Sequence, residues 1–324
     1  MIEAFGGEFI SPASLRREVS PLWETLMGMI SLCEILNSGV IIRTEMVKRG
    51  NKMKIWILAD NHVLVDQCFL GEAGASYYIE ADGKRYLFDT GRSDVFLRNA
   101  AMLGISLTGL DAVILSHGHY DHTHGLPELC RLYCCHDCGR PELIAHPQAF
   151  APRQTKMKFM GSLMREADLH NFFSLHLTKE PLWLSDRLVF LGEIARNNDF
   201  EAQRPIGKIE INGSWERDYV MDDSALAYKT EDGLVIITGC SHAGICNIVA
   251  QAQRVCGESR ICSILGGFHL LQAGEERMQK TNSFLAAQHP GKVYACHCTD
   301  QAARIGLAGA LPLGEAGAGM LLEF

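Results

Sequence analysis

Two rhythms of apolar residues organise the chain from residue 53 onward: short β-branched runs, and longer stretches with an apolar residue every third or fourth position. Ile55-Trp56-Ile57-Leu58-Ala59 reads as a strand. Ala75–Glu80 and Arg85–Asp89 read as a hairpin turning at Asp82-Gly83, a pair suited to positive φ. Ser93 predicts an N-cap for a helix through about Leu103, closed by Gly104. Ala112-Val113-Ile114-Leu115 is a short buried strand. Met221–Tyr228 and Leu234–Thr238 form a second hairpin, with its turn at Asp232-Gly233. Ile245, Ile248, Val249, Ala252 and Val255 keep helical spacing, and Gly257 stops that helix. Ile261–Leu265 is a strand, a polar helix follows through Gln288, and Val293–Cys296 is a last core strand. The pattern predicts a two-layered β core.

Residues 1–52 read differently. Pro21 opens a possible helix with Leu22, Leu26, Ile30 and Cys33 at helical spacing, which makes 1–52 an appended extension and 53–324 the main domain. The alternative is that Met53 is the true start and Lys48-Arg49-Gly50 is the translation of a purine-rich ribosome-binding run. N-terminal sequencing of protein from its native source separates the two.

Composition narrows the function classes. Of 324 residues, 47% are hydrophobic and 21% charged, the balance of a soluble globular protein with a sizeable core. A formal charge of −8 without a basic stripe argues against nucleic acid as partner. The most apolar early stretch, Leu22–Ile42, carries Glu24, Glu34 and Asn37 and makes a poor membrane span. Twelve cysteines in a long chain with no secretory signal pattern read as reduced thiols, hence a cytoplasmic setting.

The chemistry is concentrated in Ser116-His117-Gly118-His119-Tyr120-Asp121-His122-Thr123-His124-Gly125, directly after the 112–115 strand. Imidazole and carboxylate suit zinc, iron and manganese. At this spacing His117 and His119 can converge on one ion while Asp121 and His122 converge on a neighbour. The same pattern, a strand with a histidine at its end, recurs at His242, His269 and His297, so these segments are expected to meet at one site.

The His-x-His-x-Asp-His run after a strand resembles the metallo-β-lactamase superfamily. Phe88-Asp89-Thr90-Gly91, Gly239-Cys240-Ser241-His242-Ala243-Gly244, Leu265-Gly266-Gly267-Phe268-His269-Leu270 and Cys296-His297-Cys298-Thr299 follow in order. Together they resemble the 7,8-dihydropterin-6-yl-methyl-4-(β-D-ribofuranosyl)aminobenzene 5′-phosphate synthase-like branch, over about Met53 to Phe324. The resemblance implies an α/β (α+β) fold, the αββα four-layer sandwich, with a dinuclear site at one sheet edge. It implies two divalent ions, zinc first, then iron or manganese. The ligands it implies are His117, His119, Asp121, His122, His242, His269 and His297, with Asp89 steadying a ligand histidine from behind. In many relatives an aspartate bridges the two ions; here Cys240-Ser241-His242 stands at the corresponding strand end.

The function this implies is metal-dependent hydrolysis of an ester, thioester, lactone or phosphoester, with Asp121 and His269 as the catalytic side chains. The implied partner is a small-molecule substrate, with an anionic one among the options; neither nucleic acid nor membrane is expected. Alternatives are the pterin-related synthase of the branch name, a di-iron redox domain, and a non-catalytic ligand-binding protein. An aromatic and basic pocket would favour the synthase, and a shallow open cleft hydrolysis.

Several residues carry two readings. Cys130, Cys134, Cys135, His136 and Cys138 read as a reduced, partly exposed loop, with a structural zinc as the alternative. Arg153, Lys156, Lys158 and Arg165 lie on a solvated face, or roof the cleft with Arg165 or Lys158 meeting an anionic substrate. Glu193 and Arg196 line the site or pair with each other. His124 faces solvent, or crowds the pocket or donates a proton. Cys240, Cys296 and Cys298 read as small apolar packing, with a thiolate ligand as the alternative.

Overall fold

The computed structural model describes residues 52–136 and 139–324. The expected N-terminal helix, the reading of Met53 as the start, and Cys138 lie wholly or partly outside the described residues. The strands in chain order are β1 Lys54–Ala59, β2 Ser76–Ala81, β3 Lys84–Phe88, β4 Ala112–Ile114, β5 Glu142–Ala145, β6 Arg153–Gln154, β7 Ser174–Leu177 and β8 Leu182–Trp183. They continue with β9 Leu188–Phe190, β10 Gly207–Ile211, β11 Ser214–Asp218, β12 Ala225–Thr230, β13 Gly233–Thr238, β14 Ile261–Gly267, β15 Lys292–Cys296 and β16 Leu321–Glu323. A seven-stranded sheet runs β16-β1-β2-β3-β4-β5-β7, a six-stranded sheet runs β15-β14-β13-β12-β9-β8, and β11-β10-β6 form a small third sheet.

Alternation explains the layering. Ile55, Ile57, Tyr77, Ile79, Tyr86 and Phe88 of the larger sheet pack with Leu226, Tyr228, Val235 and Ile237 of the other, filling the seam between them. Their neighbours Leu58, Tyr78 and Leu87 point the opposite way and pack with Phe96, Ala100, Leu126 and Leu129. Those partners belong to the outer helices Val95–Met102 and Leu126–Cys134. On the far side, Ala225, Ala227, Leu234 and Ile236 meet Ile245, Ile248, Val249 and Leu285, which lie on the helices Ile245–Cys256 and Glu275–Ala287. With a side-chain period of two, a strand buried on both faces must be apolar throughout, as these are. The result is the expected αββα four-layer sandwich.

The first predicted turn and the glycine stop hold, while in the second hairpin Thr230 pairs with Gly233, so its turn is Glu231-Asp232. Asp82 and Gly83 take φ 53° and 78° between β2 and β3, and Gly257 closes its helix at φ 62°. Two boundaries differ from expectation. The helix at 95–102 has Asp94 at its N-cap, while Ser93 donates to Glu72 Oε2 at 2.6 Å. Met221–Ser224 is not strand: Asp222 and Asp223 leave the ladder to serve buried backbone donors, and β12 starts only at Ala225. Among the described residues no helix is long and apolar enough to cross a membrane.

The strand directions place the chemistry. β3, β4, β5 and β7 run parallel, as do β13, β14 and β15. Parallel strands end on the same side, so Asp89, His117, His242, His269 and His297 are delivered to one edge of the sandwich.

Candidate metal centre

Ring nitrogens from two separate segments converge. His117 Nε2 lies 3.0 Å from His119 Nδ1, which lies 3.1 Å from His242 Nε2. All three residues are buried. Burial first, then the neighbouring imidazoles, holds His117 and His242 well below the ordinary range, and burial with Arg153 pushes His119 down to about 3. Beside this set, Asp121, His122, Cys240 and His297 bring one ligand atom each within 4.8 Å of one another. His269 completes a further grouping with Cys240 and His242 under the same distance.

Hydrogen bonding fixes which nitrogens face inward. Asp89 Oδ1 accepts from the Ser116 backbone N–H at 2.7 Å and Oδ2 accepts from Ser116 Oγ at 2.7 Å. The Ser116 hydroxyl, having spent its hydrogen, accepts from His117 Nδ1 at 2.9 Å. Asp89 Oδ2 also lies 2.7 Å from His122 Nδ1, so that nitrogen carries hydrogen. One carboxylate thus sets the tautomers of two histidines and leaves both Nε2 lone pairs pointing into the centre. The Asp89 side chain is held from a backbone at φ 61°, and Ser241, His269 and His297 also sit in the left-handed region at 60°, 50° and 50°. Such strain gathers where surrounding structure dictates side-chain aim. Gly239 is required by space: a Cβ there would fall 2.2 Å from Ser116 Oγ.

The donor set fits divalent cations on two grounds. The nitrogens of His117, His119 and His242 lie in successive steps of 3.0 and 3.1 Å, close enough for all three to ligate one ion. His297 Nε2 is buried without a hydrogen-bond partner, 3.6 Å from Asp121 Oδ2. Burial opposes protonation of His297, but Asp121 and neighbouring anions outweigh it and raise the imidazole to about 9; an arriving cation would displace that proton.

Sequence reasoning missed the outer supports. Asp60 Oδ2 accepts from the His297 backbone N–H at 3.0 Å, and Asn61 Oδ1 lies 2.9 Å from His297 Nδ1. Asp222 Oδ2 accepts from Gly118 N at 2.8 Å, bracing the turn between His117 and His119. Asp223 Oδ2 accepts from Ala243 N at 2.9 Å beside His242. The only signal for the last two was a pair of acids just before a strong β run.

Other expectations are corrected. Arg153 is not on a solvated face: it is fully buried, with Asp222 Oδ1 at 2.6 Å and Asp218 Oδ2 at 3.0 Å to neutralise it. Lys158 donates to Tyr120 Oη at 2.8 Å and Arg165 pairs with Asp168 at 3.3 Å; neither lines the cleft described below. Glu193 pairs with His146 and Lys179, whereas Arg196 donates to the carbonyls of Tyr219 and Val220, so the two do not pair with each other. His124 is half-buried, its Nε2 3.0 Å from the Gly161 carbonyl. Cys130 is buried in the helix 126–134, and Cys134 and Cys135 are exposed.

A cleft of about 550 Å³ opens beside His242 and His269, with Phe200, Arg204, Tyr219 and Arg277 among its walls. Arg277 Nε is buried there without a hydrogen-bond partner. The basic groups expected over the site thus come from the segments 199–206 and 269–277.

Four-layer architecture and strand-end histidines together define a class, and comparison agrees: residues 70–247 match the metallo-β-lactamase superfamily. The chain belongs to that superfamily. It is 32% identical over 268 residues to 7,8-dihydropterin-6-methyl-4-(β-D-ribofuranosyl)-aminobenzene-5′-phosphate synthase of Methanocaldococcus jannaschii, spanning 78% of this chain and 90% of that protein. An uncharacterized protein of the same organism is 30% identical over 252 residues, spanning 76% of this chain and 90% of that protein. Among solved structures, that of a metal-dependent hydrolase of the β-lactamase superfamily is similar at a TM-score of 0.72 and 30% identity, covering 84% of this chain and 99% of that one.

Replacing Asp89 with asparagine removes the charge that orients His122 directly and His117 through Ser116. Such supporting carboxylates contribute about 10–100-fold to metal affinity. Competition against a chelator is expected to show zinc binding weakened by that factor; an unchanged affinity would reduce Asp89 to a turn residue.

Proposed function

We propose that this protein is a metal-dependent enzyme acting on an anionic small molecule, with hydrolysis of an ester or phosphoester as its reaction. The observation that carries this reading is the three-nitrogen set of His117, His119 and His242, whose last member lines the cleft. Three protein ligands leave a coordination position for water or substrate, the arrangement of catalytic rather than structural zinc. His117, His119 and His242 would hold one ion, and Asp121, His122 and His297 a second. When bound, a divalent ion supplies Lewis-acid polarisation of an electrophile and acidifies water.

The remaining work falls to the chain's own side chains. Arg204 and Arg277 would neutralise an anionic group of the substrate at the cleft wall. Asp121, kept ionised by His122 and His297 against its burial, would orient the attacking water. His269 lines the cleft with Nδ1 unpartnered and would pass a proton to the leaving group.

A second reading, a pterin-related synthase, is supported by the aromatic and basic cleft wall of Phe200, Tyr219, Arg204 and Arg277 and by the relative of 32% identity. The distinguishing experiment follows turnover in ¹⁸O-labelled water. Label entering the product of a single phosphorylated ester supports hydrolysis. Turnover only when a pterin and a ribosylaminobenzene phosphate are both supplied supports the synthase.

Elemental analysis of protein purified without added metal, on wild type and on His119→Ala, tests the centre itself. Close to two ions per chain, lost or halved in the variant together with activity, is the expected result. Little metal in either would move a binding role to the front.

A further inference from the structure

We propose that the Cys240 thiolate is a metal ligand standing between the two ion positions, where a bridging carboxylate would otherwise lie. The inference rests on the metal-centre reading above. Cys240 Sγ is the atom common to two groupings, one with Asp121, His122 and His297 and the other with His242 and His269. It lies 3.2 Å from His122 Nε2, and the residue is buried.

Apolar packing does not explain this environment. Ring nitrogens, a carboxylate oxygen and the Cys298 thiol gather around Sγ. His122 gives the hydrogen on Nδ1 to Asp89, so its Nε2 turns a lone pair toward the sulfur. An independent observation points the same way: His297 Nε2, on a side chain only 3% exposed, is aimed into the group and has no hydrogen-bond partner. Without a cation the thiol S–H satisfies His122. On binding, the S–H bond breaks, the proton leaves to solvent, and a sulfur–metal bond forms with no change in oxidation state.

The backbone holds Sγ in this place. Gly239 is wedged against Ser116 and Asp89, and Ser241 Oγ donates to the Gly267 carbonyl at 2.6 Å. Cys298, the neighbouring thiol, hydrogen-bonds with the Cys240 thiol but joins none of the ligand groupings among the described residues: its Sγ also donates to the Cys240 carbonyl at 3.3 Å and accepts from the His269 N–H at 3.2 Å. A thiolate here favours zinc, iron or cobalt over manganese and magnesium, which prefer oxygen donors. It therefore narrows the metals that the histidines and Asp121 leave open.

The test replaces the native ion with Co(II) in the full-length protein and records the near-ultraviolet spectrum. Wild type and Cys298→Ser are expected to show a thiolate-to-cobalt charge-transfer band, and Cys240→Ser is expected to lose it while still binding cobalt. A wild-type protein that retains cobalt without the band, or a band that survives in Cys240→Ser, overturns the proposal and leaves the histidine centre standing. Failure of the wild type to retain cobalt overturns the metal reading itself. Should Cys240→Ser not fold, alkylation of the wild type decides: Cys240 protected by bound zinc and labelled after chelation supports the proposal, and labelling at full zinc occupancy overturns it.

Discussion

Arg153→Met is expected to destabilise the protein by about 3–5 kcal/mol, the cost of breaking a buried ion pair by removing one partner. The guanidinium is fully buried and meets Asp222 through two nitrogens, at 2.9 and 2.6 Å, and Asp218 through Nε at 3.0 Å. With methionine, Asp222 keeps the Gly118 amide but loses its counter-charge inside the sandwich. Because Gly118 links His117 to His119, the same change should loosen the three-nitrogen set, so metal affinity should fall with stability. Arg153→Lys restores the charge without the fork and is expected to recover only part of the loss. Urea midpoints of the variants in the presence of chelator measure the stability term alone. A shift below about 1 kcal/mol, the ceiling for most exposed ion pairs, would show that the pair is not the brace described.

Acid lability of the metal-free protein is the second large expectation. His117 and His242 are held below their ordinary range by burial and neighbouring imidazoles, and His119 by burial and Arg153, whereas in the unfolded chain each takes up a proton near pH 6.5. The unfolded state therefore binds more protons, and stability falls as pH drops from about 6.5, a loss that for His119 continues to about 3. Asp223 runs the other way: burial raises it to about 7, so its stabilising proton is lost as pH rises from about 4 to 7. Three histidines against this one carboxyl leave the unfolded state binding more protons, so the chelated protein loses stability as pH falls below about 6.5. His297, raised to about 9, contributes stability that is complete below pH 6.5 and disappears toward pH 9. Chelated protein should thus be most stable near neutrality. Unfolding midpoints at pH 7, 6 and 5 measure the slope, and a flat profile would mean that the native imidazoles accept protons freely. Zinc should flatten the upper part of the curve by binding only the folded form.

Much of this protein was legible in the sequence by itself. Local rules settled the elements: β-branched runs for β1, β2, β13 and β14, the Asp82-Gly83 turn, and the glycine stop at 257, because backbone conformation there depends on the residues themselves. The strand-end position of His117, His242 and His297 followed from the same rules, since a histidine just past a buried strand is announced by the strand. The nine-residue span from Ser116 to His124 and the later motifs were enough to suggest the family. Tertiary structure alone decided everything that depends on distance across the chain. Arg153 looked like one of several surface cations, and only the meeting of β6 with the acids before β12 buries it between two carboxylates. Asp222 and Asp223 read as strand because their burial comes from the Gly118 and Ala243 amides, at 104 and 20 residues' separation. The basic cleft wall comes from 199–206 and 269–277, not from Lys158 or Arg165, because a cavity belongs to segments that no local pattern links. Cys240 read as packing, since a thiol's surroundings depend on which atoms face it, and here those come from three other segments, at Asp121-His122, His269 and His297.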